Sequence, residues 1–359
     1  MKYSKFVENK KNLGYIKGGG PDTTILKGWN LLMNMVTLGD TGIQISQIGL
    51  GTWAIGGGPA WNGDLDTQVC IDTIHKAHEV GINLIDTAPG YNFGNSEVIV
   101  GKALAGLKRE DVVLETKCGI VWERTGSLFN KVGDRQLYKN LTPESVREEI
   151  EASLERLGVS YVDIYMTHWQ SVEPCFTPIE ETMEVLLDLK RKGKIRAIGA
   201  ANVTTDHIKE YLRCGELDIV QAKYSLLDRA VENELFDLCR EHGIVLQAYS
   251  PLEQGLLTGA IEKGYVPTGA RANKKWWQPG NLERVIDMLD TWKPLCEKYN
   301  CGIPTLALAW VLAQGDFISI LSGSTAPNQV EENIKAVEIG LTAEDAAWMR
   351  AKAEELEAE

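Results

Sequence analysis

The segment Gly81-Ile82-Asn83-Leu84-Ile85-Asp86-Thr87-Ala88 contains the pattern on which the predicted fold rests, a short apolar run that ends in polar residues. The run at 84–86 predicts a strand, and the amphipathic stretch before it, at 67–80, predicts a helix. A continuous apolar strand next to a helix is typical of a parallel sheet that is buried on both faces. The segment therefore predicts one helix–strand unit of an α/β protein.

The same alternation of short apolar runs with helical patterns extends in both directions along the chain. Further helices are predicted at 142–157, 178–191 and 232–241, and the first opens with Thr142 and Pro143, which suit an N-cap and a first turn. Eight runs predict strands, at 48–51, 84–86, 112–117, 163–168, 195–200, 219–223, 245–249 and 318–321. Eight units predict a closed (β/α)8 TIM barrel, although a doubly wound open sheet fits the same pattern.

Two segments at the amino terminus and two long connections lie outside this alternation. Residues 1–32 show little periodicity and predict a poorly packed N-terminal extension, which leaves a single barrel domain at 33–359. Residues 36–46 predict a β-hairpin before the first barrel strand. The connections 121–140 and 255–280 follow the third and seventh strands, so we expect long loops at the C-terminal face that act as lids or binding elements.

The composition narrows the class of partner. The chain of 359 residues has a net charge of −13, which argues against nucleic-acid and anionic-membrane surfaces, since both require a cationic footprint. No apolar run approaches the roughly 20 residues that span a bilayer, and the first residues do not resemble a signal peptide. The seven cysteines are scattered without a C-x-x-C pair, so we expect reduced thiols, no metal site and a cytoplasmic protein.

Polar side chains at the ends of three predicted strands indicate a reactive site. Asp86 ends the second strand, Tyr91 follows it, Lys117 ends the third and His168 ends the fourth. In a closed barrel these ends meet at one rim, where a tyrosine can give a proton to the alkoxide that hydride addition to a carbonyl creates. A neighbouring ammonium lowers the pKa of a phenol, and an aspartate can hold that ammonium. A purely structural ion pair between Asp86 and Lys117 is the competing interpretation.

These residues lie in segments that resemble the aldo-keto reductase family. The likeness extends from about Met35 to the C-terminal region, and its motifs occur in the family's order. The segments that carry it are 81–88, Gly90-Tyr91, Gly94-Asn95-Ser96-Glu97, Glu115-Thr116-Lys117 and Asp163-Ile164-Tyr165-Met166-Thr167-His168-Trp169.

The resemblance implies an enzyme that reduces small aldehydes or ketones with a nicotinamide cofactor. It implies Tyr91 as the proton donor, with Asp86, Lys117 and His168 completing a catalytic tetrad. Residues 53–61 and 247–258 are similar to a branch of bacterial NADH-dependent methylglyoxal reductases. The branch implies 2-oxoaldehydes such as methylglyoxal, or sugar-derived carbonyls, as substrates.

The sequence has no G-x-G-x-x-G fingerprint for a dinucleotide. The resemblance implies instead a dinucleotide that extends across the barrel mouth, with the amides of Asn202 and Gln221 on the carboxamide and Tyr249 stacked on the nicotinamide. The family commonly has serine where this chain has Ala201. The implied cofactor-binding set is Gly51, Thr52, Trp53, Asn202, Gln221, Tyr249, Ser250, Leu252, Arg271, Gly323, Thr325, Gln329 and Asn333. The implied substrate pocket consists of Trp53, Trp61 and Trp169.

The segment 323–333 resembles the family's adenosine-binding region and bears on the choice of cofactor. It holds no cation before Lys335, and Glu331 and Glu332 add negative charge. Because a 2′-phosphate requires a cation, the segment favours NAD(H). NADP(H) stays possible, since Arg271 and two lysines lie in the long connection after the seventh strand.

Two other functions fit part of the pattern. A barrel lyase would form a Schiff base on Lys117, although the neighbouring Asp86 disfavours the neutral amine that this reaction requires. Potassium-channel β subunits resemble aldo-keto reductases and keep the tetrad, so a regulatory nicotinamide-binding subunit is the other alternative. The sequence predicts neither the physiological substrate nor the oligomeric state.

Overall fold

The computed structural model describes residues 23–25 and 32–358. This part of the chain contains fourteen strands: β1 (Thr23–Ile25), β2 (Leu32–Thr37), β3 (Gln44–Ser46), β4 (Ile48–Gly51), β5 (Leu84–Asp86), β6 (Val113–Cys118), β7 (Ile120–Val121), β8 (Ser127–Val132), β9 (Arg135–Lys139), β10 (Val162–Thr167), β11 (Ile195–Ala201), β12 (Ile219–Lys223), β13 (Val245–Tyr249) and β14 (Ile318–Gly323).

The described part of the chain also contains twelve α-helices: α1 (Thr67–Glu79), α2 (Asn95–Leu104), α3 (Pro143–Leu157), α4 (Ile179–Arg191), α5 (Thr205–Cys214), α6 (Ala230–Glu234), α7 (Phe236–His242), α8 (Asn281–Asp290), α9 (Lys293–Tyr299), α10 (Ile303–Leu312), α11 (Pro327–Asn333) and α12 (Ala343–Ala358). Short 3-10 helices lie at Pro59–Trp61, Arg109–Asp111, Glu253–Thr258, Gly269–Arg271, Lys275–Trp277 and Ile334–Glu338. None of these helices combines the length and the apolar character needed to cross a membrane.

Eight parallel strands close into the predicted barrel. Around the barrel the order is β4, β5, β6, β10, β11, β12, β13 and β14, and β14 pairs with β4 to complete the circle. The TIM-barrel prediction is therefore confirmed, and the open-sheet alternative is wrong. Four predicted strands have the same bounds in the structure, and the other four differ by one or two residues at an end. The predicted helix at 232–241 is divided into α6 and α7 at Leu235.

The β-hairpin before the barrel closes its amino-terminal end. Strands β2 and β3 pair antiparallel, and Leu38 and Ile45 of this hairpin are fully buried. They belong to one apolar cluster with Leu84, Ile219 and other residues that begin barrel strands and point inward. Because the hairpin presents apolar side chains to these residues, we call the cluster the apolar plug. The outward-facing residues of the strands pack instead against the helices in a second, larger core.

The connection after the third barrel strand differs from the prediction of a long loop. Strands β7, β9 and β8 form a three-stranded antiparallel sheet, and we call residues 120–139 the flap. Gly133, with a φ of 59°, lies in the turn between β8 and β9. The exposed and buried residues of β8 do not alternate regularly, so its sequence lacked the pattern by which a half-buried strand is identified.

The other long connection is compact. It contains three of the short 3-10 helices, and Trp276 and Trp277 in the third are almost fully buried. Their indole nitrogens donate to the carbonyl oxygens of Leu227 (3.1 Å) and Glu253 (3.2 Å). These two rings therefore contribute to the core beside β13.

Part of the predicted N-terminal extension lies in the described residues. Strand β1 pairs antiparallel with the start of β2, with Thr23 opposite Asn34. Residues 1–22 and 26–31, and Glu359, lie outside the described residues. The poor packing of the extension and the single domain at 33–359 remain predictions.

Candidate active site

The structure brings the four predicted catalytic residues together at the carboxyl ends of neighbouring strands. Asp86 is the last residue of β5, Lys117 lies near the end of β6, and His168 follows β10. The strand register places Glu115, two residues before Lys117, opposite Asp86, and it places Lys117 opposite Met166. Tyr91 lies in the loop after β5, so its ring reaches the same rim.

The ammonium of Lys117 is at the centre of this group. It donates to the Asp86 carboxylate in a very short contact, to the Thr87 carbonyl oxygen (3.0 Å) and to the Tyr91 hydroxyl (3.2 Å). Lys117 is 0% exposed and Asp86 is 2% exposed. The three hydrogens of the ammonium are thus all used, which holds its position and that of the phenol.

His168 completes the group from the next strand. Its ring lies 5.7 Å from that of Tyr91, and the two planes are nearly perpendicular at 82°. Its Nδ1 is buried without a hydrogen-bond partner among the described residues. Burial, and after it the charge of Lys117, lowers the pKa of His168 well below the usual value. The imidazole is therefore neutral at physiological pH.

The environment of the Tyr91 hydroxyl differs from the expectation based on Lys117 alone. Burial raises its pKa above the usual value, and the Asp86 charge adds to this effect. Lys117 acts in the predicted direction, but its contribution is smaller than that of burial. The expectation of a lowered pKa for Tyr91 is therefore wrong. The phenol stays protonated at neutral pH, which is the form that can donate a proton.

A layer of polar side chains lies beneath these residues, inside the barrel. Glu115 is fully buried and accepts hydrogen bonds from the amides of Gln221 (2.9 Å) and Gln247 (3.1 Å). The Gln221 amide nitrogen is also 3.2 Å from Asp86 Oδ1. Burial, then the Asp86 charge, raises the pKa of Glu115 well above the usual value, which favours the protonated carboxyl.

Glu115 and Gln247 were not among the residues that the sequence singled out. A signal for them exists in the spacing, since they stand two residues before Lys117 and Tyr249 on their strands. Side chains two apart on a strand point to the same side, which is here the barrel interior. We call Asp86, Glu115, Lys117, Gln221 and Gln247 the polar layer.

The predicted nicotinamide-binding residues lie on the other side of the mouth. The Tyr249 hydroxyl donates to the Asn202 side-chain oxygen (2.8 Å), and the Asn202 amide nitrogen donates to the carbonyl oxygen of His168 (2.9 Å). The positive φ values of Asn202 (55°) and Ser250 (54°) turn the chain sharply at the ends of β11 and β13. The Gln221 amide nitrogen contacts Asp86, Glu115 and Gln247 inside the barrel.

Comparisons with known proteins agree with this arrangement. The family model described as the Aldo/keto reductase family matches residues 47–354. An NADH-specific methylglyoxal reductase of Escherichia coli (strain K12) is 71% identical over 325 residues, which are 90% of this chain and 100% of that protein. The chain belongs to the aldo/keto reductase family. It is an oxidoreductase, and the predictions of family, fold and reaction class are confirmed.

Two further relatives show the breadth of this family. A probable voltage-gated potassium channel subunit beta of Arabidopsis thaliana is 31% identical over 320 residues, 86% of this chain and 92% of that protein. The solved structure of a glycerol dehydrogenase from Gluconobacter oxydans matches with a TM-score of 0.79 and 32% identity, over 89% of this chain and 94% of that one. The same barrel thus occurs both in a dehydrogenase and in a protein described as a probable channel subunit.

Aromatic side chains form two walls of the reductase's mouth. The Trp53 ring lies 6.3 Å from Tyr91 and 5.1 Å from Trp61, so these two tryptophans line one side. Trp169 lies on another side, 5.5 Å from Phe129 of the flap. The structure therefore places all three predicted substrate-pocket residues around the mouth. Phe129 of the flap lies beside them and was not predicted from the sequence.

The first predicted cofactor-binding residues adjoin the catalytic aspartate. Gly51 pairs with Asp86 across β4 and β5, and Thr52 is fully buried. The Thr52 hydroxyl donates to the carbonyl oxygen of Asp86 (2.7 Å) and contacts the Ser96 hydroxyl (2.7 Å). The Thr52 hydroxyl thus holds the backbone at the end of β5, beside the candidate active site. On the opposite side, Leu252 is half-buried directly after β13.

Thr325, one of the residues predicted to bind adenosine, lines an open cleft of about 230 Å³. Gln329 accepts a hydrogen bond from the Thr325 backbone (2.8 Å), beside Gly323 at the end of β14. Asn333 is buried and donates to the hydroxyl of Ser322 (2.8 Å). The cleft is lined by Ala54, Ala60, Trp61, Asn62, Leu65, Thr268, Arg271 and Thr325.

Arg271 joins this cleft to the long connection. Its guanidinium donates to the Gln254 carbonyl oxygen (3.0 Å) and to the Tyr265 hydroxyl (3.1 Å). The same guanidinium lies 5.6 Å from the Trp61 ring centre and 4.8 Å from that of Trp277. These contacts hold Arg271 on the cleft wall opposite Thr325. Among the described residues, no group of three or more His, Cys, Asp or Glu side chains is arranged to hold a metal ion.

Proposed function

We propose that this reductase converts small aldehydes and ketones to alcohols with NADH, and that Tyr91 donates the proton. 2-Oxoaldehydes such as methylglyoxal are the first substrates to test, because the Escherichia coli relative at 71% identity is described as an NADH-specific methylglyoxal reductase. Sugar-derived carbonyls are the second class. The observation that carries the proposal is the contact of Tyr91 with Lys117, which in turn is bound to Asp86.

The residues at the mouth and in the cleft fit a nicotinamide dinucleotide. Tyr249 offers an aromatic face, and Asn202 and Gln221 offer amide groups beside it. The cleft of about 230 Å³ extends the mouth toward Thr325 and Arg271. The remaining members of the proposed set are Gly51, Thr52, Trp53, Ser250, Leu252, Gly323, Gln329 and Asn333. When bound, the cofactor supplies the hydride.

The side chains then supply the proton and stabilise charge. A carbonyl oxygen near Tyr91 and His168 becomes an alkoxide as hydride arrives, and the Tyr91 hydroxyl protonates it. The resulting phenolate is stabilised by the Lys117 ammonium at 3.2 Å, and Asp86 balances the buried positive charge. Neutral His168 orients the carbonyl without adding a second cation to the site.

The charged side chains in the segment 323–335, which is proposed to bind adenosine, favour NAD(H) over NADP(H). Glu332 pairs with Lys335 (2.6 Å), and Glu331 pairs with Lys76 (3.2 Å). Because both lysines already have carboxylate partners, neither is a free counter-charge for a 2′-phosphate. NADP(H) stays a second option through Arg271. A cytoplasmic location follows as part of the proposal, since all seven cysteines are free.

The two alternative functions have weaker support. Burial alone lowers the pKa of Lys117, but Asp86, followed by Tyr91 and Glu115, outweighs burial and raises it above the usual value. A Schiff-base lyase needs a neutral amine, so this environment disfavours it. A regulatory role is consistent with the 31% identical channel subunit, but that relative is much more distant than the methylglyoxal reductase.

The test is NADH oxidation with methylglyoxal, measured for the wild type and for Tyr91→Phe and repeated with NADPH. We expect Tyr91→Phe to lower kcat by about 10² to 10⁴-fold, because it removes the general acid and keeps the ring. Tyr161→Phe is the matched control, since Tyr161 lies before β10, at the other end of the barrel, and its ring packs under Arg109. Turnover that survives Tyr91→Phe would contradict the assigned proton donor, and tight nicotinamide binding without any turnover would favour the regulatory role.

A further inference from the structure

The flap carries a cation with unusual surroundings. The Lys139 ammonium lies 4.9 Å from the ring centre of Trp169 and 5.7 Å from that of Phe129. Within residues 32–358 it has no carboxylate partner and no hydrogen bond. Lys139 is half-buried, and this burial lowers its pKa. A partly desolvated ammonium that is held by two aromatic faces alone retains the capacity to bind an anion.

The position of Lys139 connects it to the reacting groups. In the flap, Lys139 pairs with Ile120, which lies three residues after Lys117. The Ile120 side chain touches Gly90, since a Cβ added at Gly90 would lie 3.1 Å from Ile120 Cγ2 and 3.9 Å from His168 Cε1. Trp169, the ring beneath Lys139, directly follows His168. The Lys139 ammonium therefore lies on the ring that follows His168 in sequence, and its strand adjoins Ile120, which contacts Gly90 in the loop that carries Tyr91.

Other cations of this region have different environments. Arg124 is paired with the Glu148 carboxylate and donates to the Ser145 hydroxyl (3.2 Å). Arg135 is exposed and stacks on Phe93 at 3.6 Å. Lys131 is exposed on the same flap, where water solvates its charge. Lys139 thus combines partial burial and proximity to the mouth with the lack of a carboxylate partner among the described residues.

We propose that Lys139 binds an anionic group, a carboxylate or a phosphate, at the end of the substrate remote from its carbonyl, and so determines substrate specificity. The proposal rests on the proposed carbonyl reduction and names a substrate class beyond methylglyoxal, which is neutral. The two aromatic faces orient the ammonium, and the alkyl part of the substrate packs on Trp169. Binding remote from the carbonyl affects the ground state and the transition state alike, so it lowers KM more than it raises kcat.

The experiment compares neutral and anionic substrates of matched length with NADH. Butanal and succinic semialdehyde test a carboxylate, and glyceraldehyde and glyceraldehyde 3-phosphate test a phosphate. We expect the wild type to prefer the anionic member of at least one pair. Lys139→Met should lower kcat/KM for that anion by about 10- to 100-fold, mainly through KM, and change the neutral partner by less than about twofold. Added salt should weaken the wild-type preference, and it should leave Lys139→Met unchanged.

Two further variants on the flap serve as controls. Lys131→Met removes an exposed charge of the same kind and should leave every ratio unchanged, whereas Lys139→Arg should keep part of the preference for the anion. Equal losses for anionic and neutral substrates in Lys139→Met, or no anion preference in the wild type, would overturn the proposal while methylglyoxal reduction still stands. A wild type that reduces neither methylglyoxal nor any of the four test substrates would refute the proposed function. The proposal for Lys139 would then fail with it.

Discussion

The interior of the barrel has a different character at its two ends. Along β6 the inward-facing residues change from Val113 to Glu115 to Lys117, and along β13 they change from Val245 to Gln247 to Tyr249. The amino-terminal end belongs to the apolar plug, and the carboxyl end belongs to the polar layer and the mouth. The first residues of one strand therefore contribute to stability and its last residues to the reactive site, because its inward side chains occur at every second position.

The two ends also differ in the cost of burial. Apolar side chains of the plug gain free energy when they leave water, at roughly 25 cal/mol per Å². Ionised and polar groups lose hydration when they are buried, and only mutual hydrogen bonds offset that loss. Lys117 is therefore fully paired, and the two glutamines of the polar layer donate to Glu115. The ion pair of Asp86 and Lys117 in the polar layer is the part of the interior that we expect to tolerate substitution least.

The largest effect is expected for Lys117→Met. This change leaves the Asp86 carboxylate buried without its cation, so we expect a loss of about 3–5 kcal/mol in unfolding free energy. It also removes the group that stabilises a Tyr91 phenolate, so kcat should fall at least about 100-fold. Chemical denaturation and NADH oxidation measure the two effects separately.

A double variant separates the effect on stability from the effect on activity. Asp86→Leu combined with Lys117→Met removes both charges, which should restore much of the lost stability because no unpaired ion remains. The activity should stay as low as in Lys117→Met. Recovery of activity together with stability would show that the pair is structural, as the competing interpretation of the sequence holds.

A smaller effect, on stability alone, is expected for Leu84→Ala at the start of β5, the strand that ends in Asp86. Leu84 is fully buried in the apolar plug, two residues before Asp86, and it packs against Gly49 so closely that a Cβ there would lie 2.8 Å from Leu84 Cδ2. Truncation should cost about 2–5 kcal/mol, and kcat should change by less than about twofold. Leu128→Ala, in an exposed residue of the flap, is the control and should cost less than about 0.5 kcal/mol. A large fall in kcat for Leu84→Ala, at a temperature where the variant is folded, would contradict the division of the barrel into a stabilising end and a reactive end.

The smallest effect is expected for Glu115→Gln, and it depends on pH. The folded-state pKa of Glu115 is raised, chiefly by burial, so its contribution to stability is full at low pH and is lost as pH rises. Between about pH 5 and pH 8 the wild type should therefore lose more unfolding free energy than the variant, by at most about 1.4 kcal/mol per pH unit for one linked proton. Denaturation at both pH values measures the difference.

Glu232→Gln provides a control of opposite sign. Burial acts to raise the pKa of Glu232, but hydrogen bonds from Arg350 and Tyr224 outweigh burial and lower it. A lowered pKa contributes stability that is present above the unfolded value, so the cost of this variant should stay constant from about pH 5 to pH 8. A parallel response of both variants to pH would contradict the raised pKa of Glu115.

The strands and the four candidate catalytic residues could be predicted because their signals are local. Apolar runs such as 219–223 are short, continuous and separated by helical patterns, and the polar residues stand directly at their ends. The flap was missed because its strands are mostly exposed and show no regular alternation. The net effect on the Tyr91 pKa was missed because burial, which outweighs the nearby lysine, is a property of the folded chain.

The amino-acid sequence alone was sufficient for the strand–helix alternation, the family resemblance and the choice of the four candidate catalytic residues, since periodicity and motif order depend on neighbouring residues. Closure of the eight strands into a barrel was favoured by the sequence, and the structure excluded the open sheet. Only the tertiary structure could show the polar layer, in which Gln221 contacts Asp86 across 135 positions of sequence. The same holds for Lys139, whose contact with two aromatic rings and lack of a carboxylate partner within the described residues depend on every residue that packs around the flap. Burial and pairing are sums over contacts between distant parts of the chain, and no local pattern contains them.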